Sequence, residues 1–275
     1  MQTKEKLIAL RAQLKLHKLQ GFLQPVHDEY LNEYPPASAQ RVHWLSGFSG
    51  SAGTVVVLDD VAALFTDGRY TLQAENETDT ALFEQHNSAD TTPEAWLLKT
   101  CKAGAHIGYD ARLYTKTMVT RIEKQLSTKD IKLLPCENLV DVIWKDRPAA
   151  PTSKLFVHDL KYAGVESSKK RQDIAAVIQE KAADALLITA PDSVCWLLNI
   201  RASDVEHTPL ALGNALMDKE GKVQLFIHPS RSDDAVRAQL GNEVSLHDPA
   251  TLKESLAKLA SHKKTILCDT TQVST

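Results

Sequence analysis

Glycine and serine crowd the run Trp44-Leu45-Ser46-Gly47-Phe48-Ser49-Gly50-Ser51-Ala52-Gly53-Thr54. Where a chain turns on glycine, backbone N–H groups can approach a bound group with no Cβ in the way. Two short apolar stretches later, Thr66-Asp67-Gly68-Arg69-Tyr70 places one arginine just past a strand. Its planar fork of donors suits a carbonyl or carboxylate better than a lysine point charge would. Pairing with Asp67, or simple solvation, is the plainer role for Arg69. This is chemistry of binding rather than of bond breaking. Gly47-Phe48-Ser49-Gly50-Ser51 lacks the last glycine of a GxSxG nucleophile elbow, and the glycine-rich stretch has neither a Walker lysine nor a GxGxxG pattern. The ten histidines are dispersed and none falls in an HExxH spacing. No catalytic machinery is legible.

Other polar clusters invite weaker readings. Asp28-Glu29-Tyr30 follows an apolar segment and a proline, so it belongs to a loop at a sheet edge; its carboxylates could reach an amine, but a solvated loop is the favoured reading. Arg201, Asp204 and His207 form a polar loop suited to an interdomain salt bridge or a docking surface, with direct substrate contact as the lesser reading. Trp44 and Trp196 read as core anchors. Cys101, Cys136, Cys195 and Cys268 have no CxxC spacing and sit in or beside apolar segments, which predicts buried reduced thiols.

The elements that must position these residues repeat. A helix over residues 3–20, with Thr3 as cap, apolar Leu7, Ile8, Leu10 and Leu14, and Gly21 as stop, feeds a strand Phe22–Val26. Further on, a helix capped by Ser168 and carrying Ile174, Val177 and Ile178 feeds a strand Asp184–Thr189. Each half then shows a Trp-Leu pair, a variable loop and two strands: Thr54–Leu58 with Ala62–Phe65, and Leu210–Met217 with Lys222–Ile227. Asp218-Lys219-Glu220-Gly221 has hairpin chemistry. The first half continues with a helix from about Tyr70, a strand Leu82–Gln85, a helix begun at Thr92-Pro93-Glu94 and stopped by Gly104, a strand His106–Tyr109, a helix Lys116–Leu126 and a strand Ile131–Leu134. Thr265–Cys268 is a last strand. Residues 146–153, with prolines at 148 and 151, bury little and mark a boundary between domains at 1–147 and 154–275. Short turns force antiparallel pairs, so each domain is α/β with a mixed sheet flanked by helices. At 275 residues and 43% apolar content the chain can bury two ordinary cores. Its 32 basic and 35 acidic residues give a net charge of −3, which disfavours nucleic acid and membrane surfaces as partners. The polar start Met1-Gln2-Thr3-Lys4 carries no long apolar run, so the expected location is cytoplasmic.

The glycine-serine run and Thr66-Asp67-Gly68-Arg69-Tyr70 resemble the N-terminal region of Xaa-Pro aminopeptidases (aminopeptidase P) of the creatinase and prolidase superfamily. The likeness to the longer, cytosolic form extends through Asp28-Glu29-Tyr30-Leu31, Asn138-Leu139-Val140-Asp141, Ile143-Trp144 and Trp196-Leu197-Leu198-Asn199-Ile200-Arg201-Ala202-Ser203-Asp204. The resemblance implies two creatinase N-terminal-like domains, with the catalytic pita-bread domain beyond the last residue present. It implies a metallopeptidase that removes the N-terminal residue from short peptides with proline second. Two divalent ions, manganese by resemblance, would be held by two Asp, one His and two Glu of that catalytic domain, none of which maps onto this sequence. The fragment alone is therefore expected to bind no metal and to be inactive. Arg69 matches the arginine by which the family's N-terminal domain contacts substrate. The catalytic domain is the implied partner, and the resemblance allows a homodimer of the full-length protein. The alternative is a non-catalytic binding or assembly module; a prolidase or creatinase is disfavoured by the duplicated domain.

Overall fold

The computed structural model describes residues 1–274. By internal contacts the chain divides between Ala150 and Pro151 into two compact units, the first also taking in Ser274. Unit 1 runs α1 (Thr3–Leu16), β1 (Gly21–Pro25), α2 (Arg41–Ser46), β2 (Gly53–Leu58), β3 (Ala62–Thr66), α3 (Thr71–Glu77), β4 (Glu84–Asn87), α4 (Pro93–Thr100), β5 (His106–Tyr109), α5 (Lys116–Leu126), β6 (Lys132–Pro135) and α6 (Leu139–Ile143). Its sheet has the order β4-β3-β2-β1-β5-β6. The β1-β2-β3 meander is antiparallel, and β4, β5 and β6 join in parallel. Strands β1, β2 and β3 are apolar on both faces because both faces are covered. On one side Leu7, Leu10 and Leu14 of α1 pack with Leu45 and Leu139; on the other Trp96 and Leu97 of α4 pack with Val119, Ile122 and Leu126 of α5.

Unit 2 runs β7 (Phe156–Val157), α7 (Leu160–Ala163), α8 (Ser167–Glu180), β8 (Ala185–Ile188), α9 (Pro191–Leu198), β9 (Ile200–Arg201), β10 (Asn214–Asp218), β11 (Val223–Phe226), α10 (Asp234–Leu240), β12 (Val244–His247), α11 (Leu252–Ser261) and β13 (Ile266–Cys268). Its sheet order, β12-β11-β10-β8-β13, reproduces β4-β3-β2-β1-β5 with the same strand directions. The duplication extends to side chains. Lys6 and Lys170, each the fourth residue of its helix, sit 4.7 Å over the Trp44 and Trp196 rings. Each also donates to the carbonyl of its tryptophan.

Several boundaries move for local reasons. Helix α1 stops at Leu16, because Lys18 takes a positive φ and closes the helix before Gly21. Its cap is Gln2, in a capping box with Glu5, rather than Thr3, and Ile8 lies on the exposed face. Helix α8 begins at Ser167 after Glu166, so Ser168 is not its cap; Val177 is exposed. Helix α4 ends at Thr100, and Gly104 serves a turn at φ +80° instead. The segment before β10 is not strand from Leu210 to Gly213. Trp196 is 50% exposed and Trp44 is half-buried, so neither is a full core anchor; stacking on Trp144 and the lysine above it cover Trp44 in part. Of the cysteines, Cys101 and Cys195 are buried, whereas Cys136 is half-buried and Cys268 exposed.

Candidate substrate-binding site

Strand β3 ends at Thr66, whose hydroxyl donates to the Ala52 carbonyl at 2.6 Å and ties the strand end to the glycine-serine turn. Asp67 then forms an Asx-type turn, its Oδ1 accepting the Arg69 backbone N–H at 2.9 Å. The same carboxylate takes Arg69 Nε at 3.0 Å and Nη2 at 2.7 Å, a bidentate pair. Those bonds hold the Asp67 carboxyl below the usual carboxylate range and raise Arg69 further. The guanidinium carbon lies 5.1 Å over the Tyr70 ring. Arg69 is thus steered by two neighbours while its side chain is 64% exposed.

The turn beside it is occupied by the chain's own acids. Ser49 donates its N–H and hydroxyl to Glu77 at 2.8 Å each, and Gln73 adds a third donor at 3.0 Å. Burial would raise the Glu77 carboxyl, but these donors prevail and lower it. Ser51 Oγ lies 2.8 Å from both Glu33 Oε1 and the Tyr70 hydroxyl. The glycines pack rather than bind: a Cβ on Gly50 would stand 2.3 Å from Phe48 Cζ, and Gly47 takes φ +90° to end α2.

The loop that brings Glu33 to Ser51 is fixed at both ends, and here the expected solvated loop gives way. Asp28 is buried and its Oδ1 accepts the N–H groups of Tyr30 and Asn32 at 3.0 Å each, while Oδ2 accepts the Asn32 amide at 2.9 Å. Burial nonetheless pushes its carboxyl up. At the far end Arg41, with no exposed surface, donates to Glu29 at 2.5 Å and to Asp141 at 2.7 and 3.0 Å. Burial opposes ionisation of Glu29, but the Arg41 charge wins and holds it low. Arg147 completes the cluster, 2.7 Å from Asp141. Asn138 caps α6 through Val140 and Asp141 and donates to Gln24, which explains that motif as structural. Arg41, Glu33 and Glu77 carry no sequence signal beyond lying in or near the two motif blocks.

In unit 2 the hydrogen-bond partners of Arg201 and Asp204 lie within the unit. Asp204 is buried and accepts Arg231 at 2.5 Å, Ser153 at 2.6 Å and the Leu212 N–H at 2.8 Å. Arg201 donates to the Cys195 and Ile200 carbonyls, and His207 is exposed beside Glu206. Among the described residues no three His, Cys, Asp or Glu side chains form a group able to hold a metal ion, and no helix is long and apolar enough to cross a membrane.

Family models for the creatinase/prolidase N-terminal domain match residues 6–143 and 146–275. The chain belongs to the creatinase/prolidase N-terminal domain family, in two consecutive copies. A Laccaria bicolor protein bearing the name "Probable Xaa-Pro aminopeptidase P" is 38% identical over 86% of this chain and 38% of its own length. The Xaa-Pro aminopeptidase ApepP of Drosophila melanogaster is 32% identical over 90% of this chain and 41% of its own. The X-prolyl aminopeptidase structure from Caenorhabditis elegans, a cytosolic enzyme with a di-nuclear active site, superposes with a TM-score of 0.90 at 30% identity, covering 98% of this chain and 46% of that one. The chain thus spans less than half the length of these relatives.

Proposed function

We propose that this chain is the N-terminal, non-catalytic part of a cytoplasmic, metal-dependent Xaa-Pro aminopeptidase, and that Arg69 contacts the peptide substrate. Support for the activity comes from the two domain matches and from relatives named as Xaa-Pro aminopeptidases. Support for two metal ions comes from the di-nuclear site of the C. elegans enzyme. The side chains present here do not fit such a centre, so manganese would be held outside these residues. When bound, a metal pair supplies Lewis-acid stabilisation of the developing oxyanion.

What this chain offers is orientation. The observation that carries the reading is an exposed guanidinium at a strand end, held by Asp67 and Tyr70. A peptide carbonyl or carboxylate can engage the unused donor face of Arg69 without dismantling the turn, since the Asx bond to its backbone N–H remains. The activity is tested on the full-length protein, chelated and then reloaded with manganese. It should cleave a tripeptide with proline second, and this chain alone should not. Cleavage by the isolated chain, or none by the reloaded full-length protein, overturns the reading.

A further inference from the structure

The C-terminal ends of β1 and β3 and the start of β2 border a cleft of about 360 Å³ in unit 1 that the Arg69 reading leaves unused. Strand ends of α/β sheets gather ligands because the connecting loops diverge there. Leu23 and Phe65 from the sheet and Met118 and Ile122 from α5 give the cleft an apolar wall. Its polar groups converge from other elements. Tyr114 is 6% exposed, with its ring set edge-on to Tyr109 at 5.4 Å and to His27 at 6.2 Å. Its ring lines the cleft, and its hydroxyl has no hydrogen-bond partner among the described residues without being one of the solvent-sealed unpaired atoms, Arg41 Nη1 and Arg171 Nε. Glu94 and Arg121, both lining the cleft, are among the charges acting on that phenol.

The sign of the missing partner follows from the lining. His27 Nε2 must donate to the Leu113 carbonyl at 2.6 Å, which leaves Nδ1 as an acceptor. Burial lowers its pKa, so the ring is neutral at pH 7. The Glu94 carboxylate stands at the first turn of α4, buried, with Oε1 3.0 Å from Arg121. Asp67 is engaged by Arg69. Asp67 and Glu94 are thus each paired with an arginine and the charges balance, while the imidazole lone pair and the Glu94 carboxylate remain as acceptors that call for a hydrogen-bond donor.

We propose that this cleft binds a small primary amine with an apolar body of about amino-acid side-chain size, its ammonium held by the Tyr114 hydroxyl and Glu94. The probe is 2-phenylethylamine, titrated into this chain by calorimetry and by protein-observed NMR, with no hydrolysis read out. The result is therefore independent of the aminopeptidase reading. Saturable binding in the millimolar range is expected, about fivefold weaker in Tyr114→Phe, which removes one hydrogen bond and keeps the ring. Met118→Trp, which fills the cleft, should abolish it; if that variant does not fold, Tyr114→Phe decides alone. Phenylacetate, with the same ring and opposite charge, should bind more weakly. Absence of saturation, equal affinity in Tyr114→Phe, or tighter binding of phenylacetate overturns the proposal.

Discussion

Arg69 follows the third meander strand of unit 1, β3, and its side chain is 64% exposed; Arg231 follows the topologically equivalent strand of unit 2, β11, and is 7% exposed. The difference lies in which carboxylate waits nearby. In unit 2 Asp204 is fully enclosed, and Arg231 is drawn in to neutralise it. In unit 1 the enclosed arginine is a different one, Arg41, matched by Glu29 and Asp141 on other elements. Arg69 is left with an exposed aspartate two residues away. A duplicated skeleton therefore keeps its strand order while the segment after the equivalent strand buries its arginine in one copy and leaves it exposed in the other.

The comparison breaks most visibly at the buried charges. Arg231→Met strands the enclosed Asp204 carboxylate and should cost about 3–5 kcal/mol; Arg41→Met leaves the partly buried Glu29 and Asp141 without their shared partner and should cost less, since Asp141 keeps Arg147. With two autonomous units, thermal unfolding should show Arg41→Met lowering one transition and Arg231→Met the other; a common shift in both would deny the units separate cores. Gly50→Ala would drive a methyl into the Phe48 ring and should cost about 1–3 kcal/mol, read from the denaturation midpoint. The repeated lysine-tryptophan contact permits a finer test. Lys6→Met should cost about 0.5–1 kcal/mol, and Lys170→Met more, because Lys170 is buried and also holds Asn199 at 2.7 Å.

Acid should separate the units too. Burial depresses the His27 pKa in the fold, so the unfolded chain binds the extra proton. The stability His27 contributes is complete above its ordinary value near 6.5 and falls as pH drops through the folded pKa. Between pH 7 and 5 the unit 1 transition should fall in temperature, and His27→Gln should flatten that slope.

Sheet composition was legible because hairpin turns and apolar runs are local. The two-copy pattern appeared in the Trp-Leu pairs, and the structure extends it to Lys6 and Lys170. The polar interior was not legible, since Arg41 meets Asp141 across a hundred residues and nothing in either segment announces the pairing. Asp28-Glu29 looked solvated for the same reason: its partners come from elsewhere in the fold or from its own backbone. The substrate role of Arg69 came from the resemblance alone; its residues by themselves favour the pairing with Asp67, which the structure shows. The vacant Tyr114 hydroxyl had no sequence signature, because strand and helix ends separated in the chain converge around it.

The contrast between a presented and a buried arginine is tested most directly by Arg69→Ala. In this chain the melting temperature should hardly move, a change within about 0.5 kcal/mol as for an exposed site. In the full-length aminopeptidase proposed above, KM for peptides with proline second should rise, with kcat/KM reduced by about 1.5–3 kcal/mol of transition-state binding, and Arg69→Lys should restore only part of it. Unchanged kinetics together with a large loss of stability would instead make Arg69 a structural ion-pair partner, the unit 1 equivalent of Arg231.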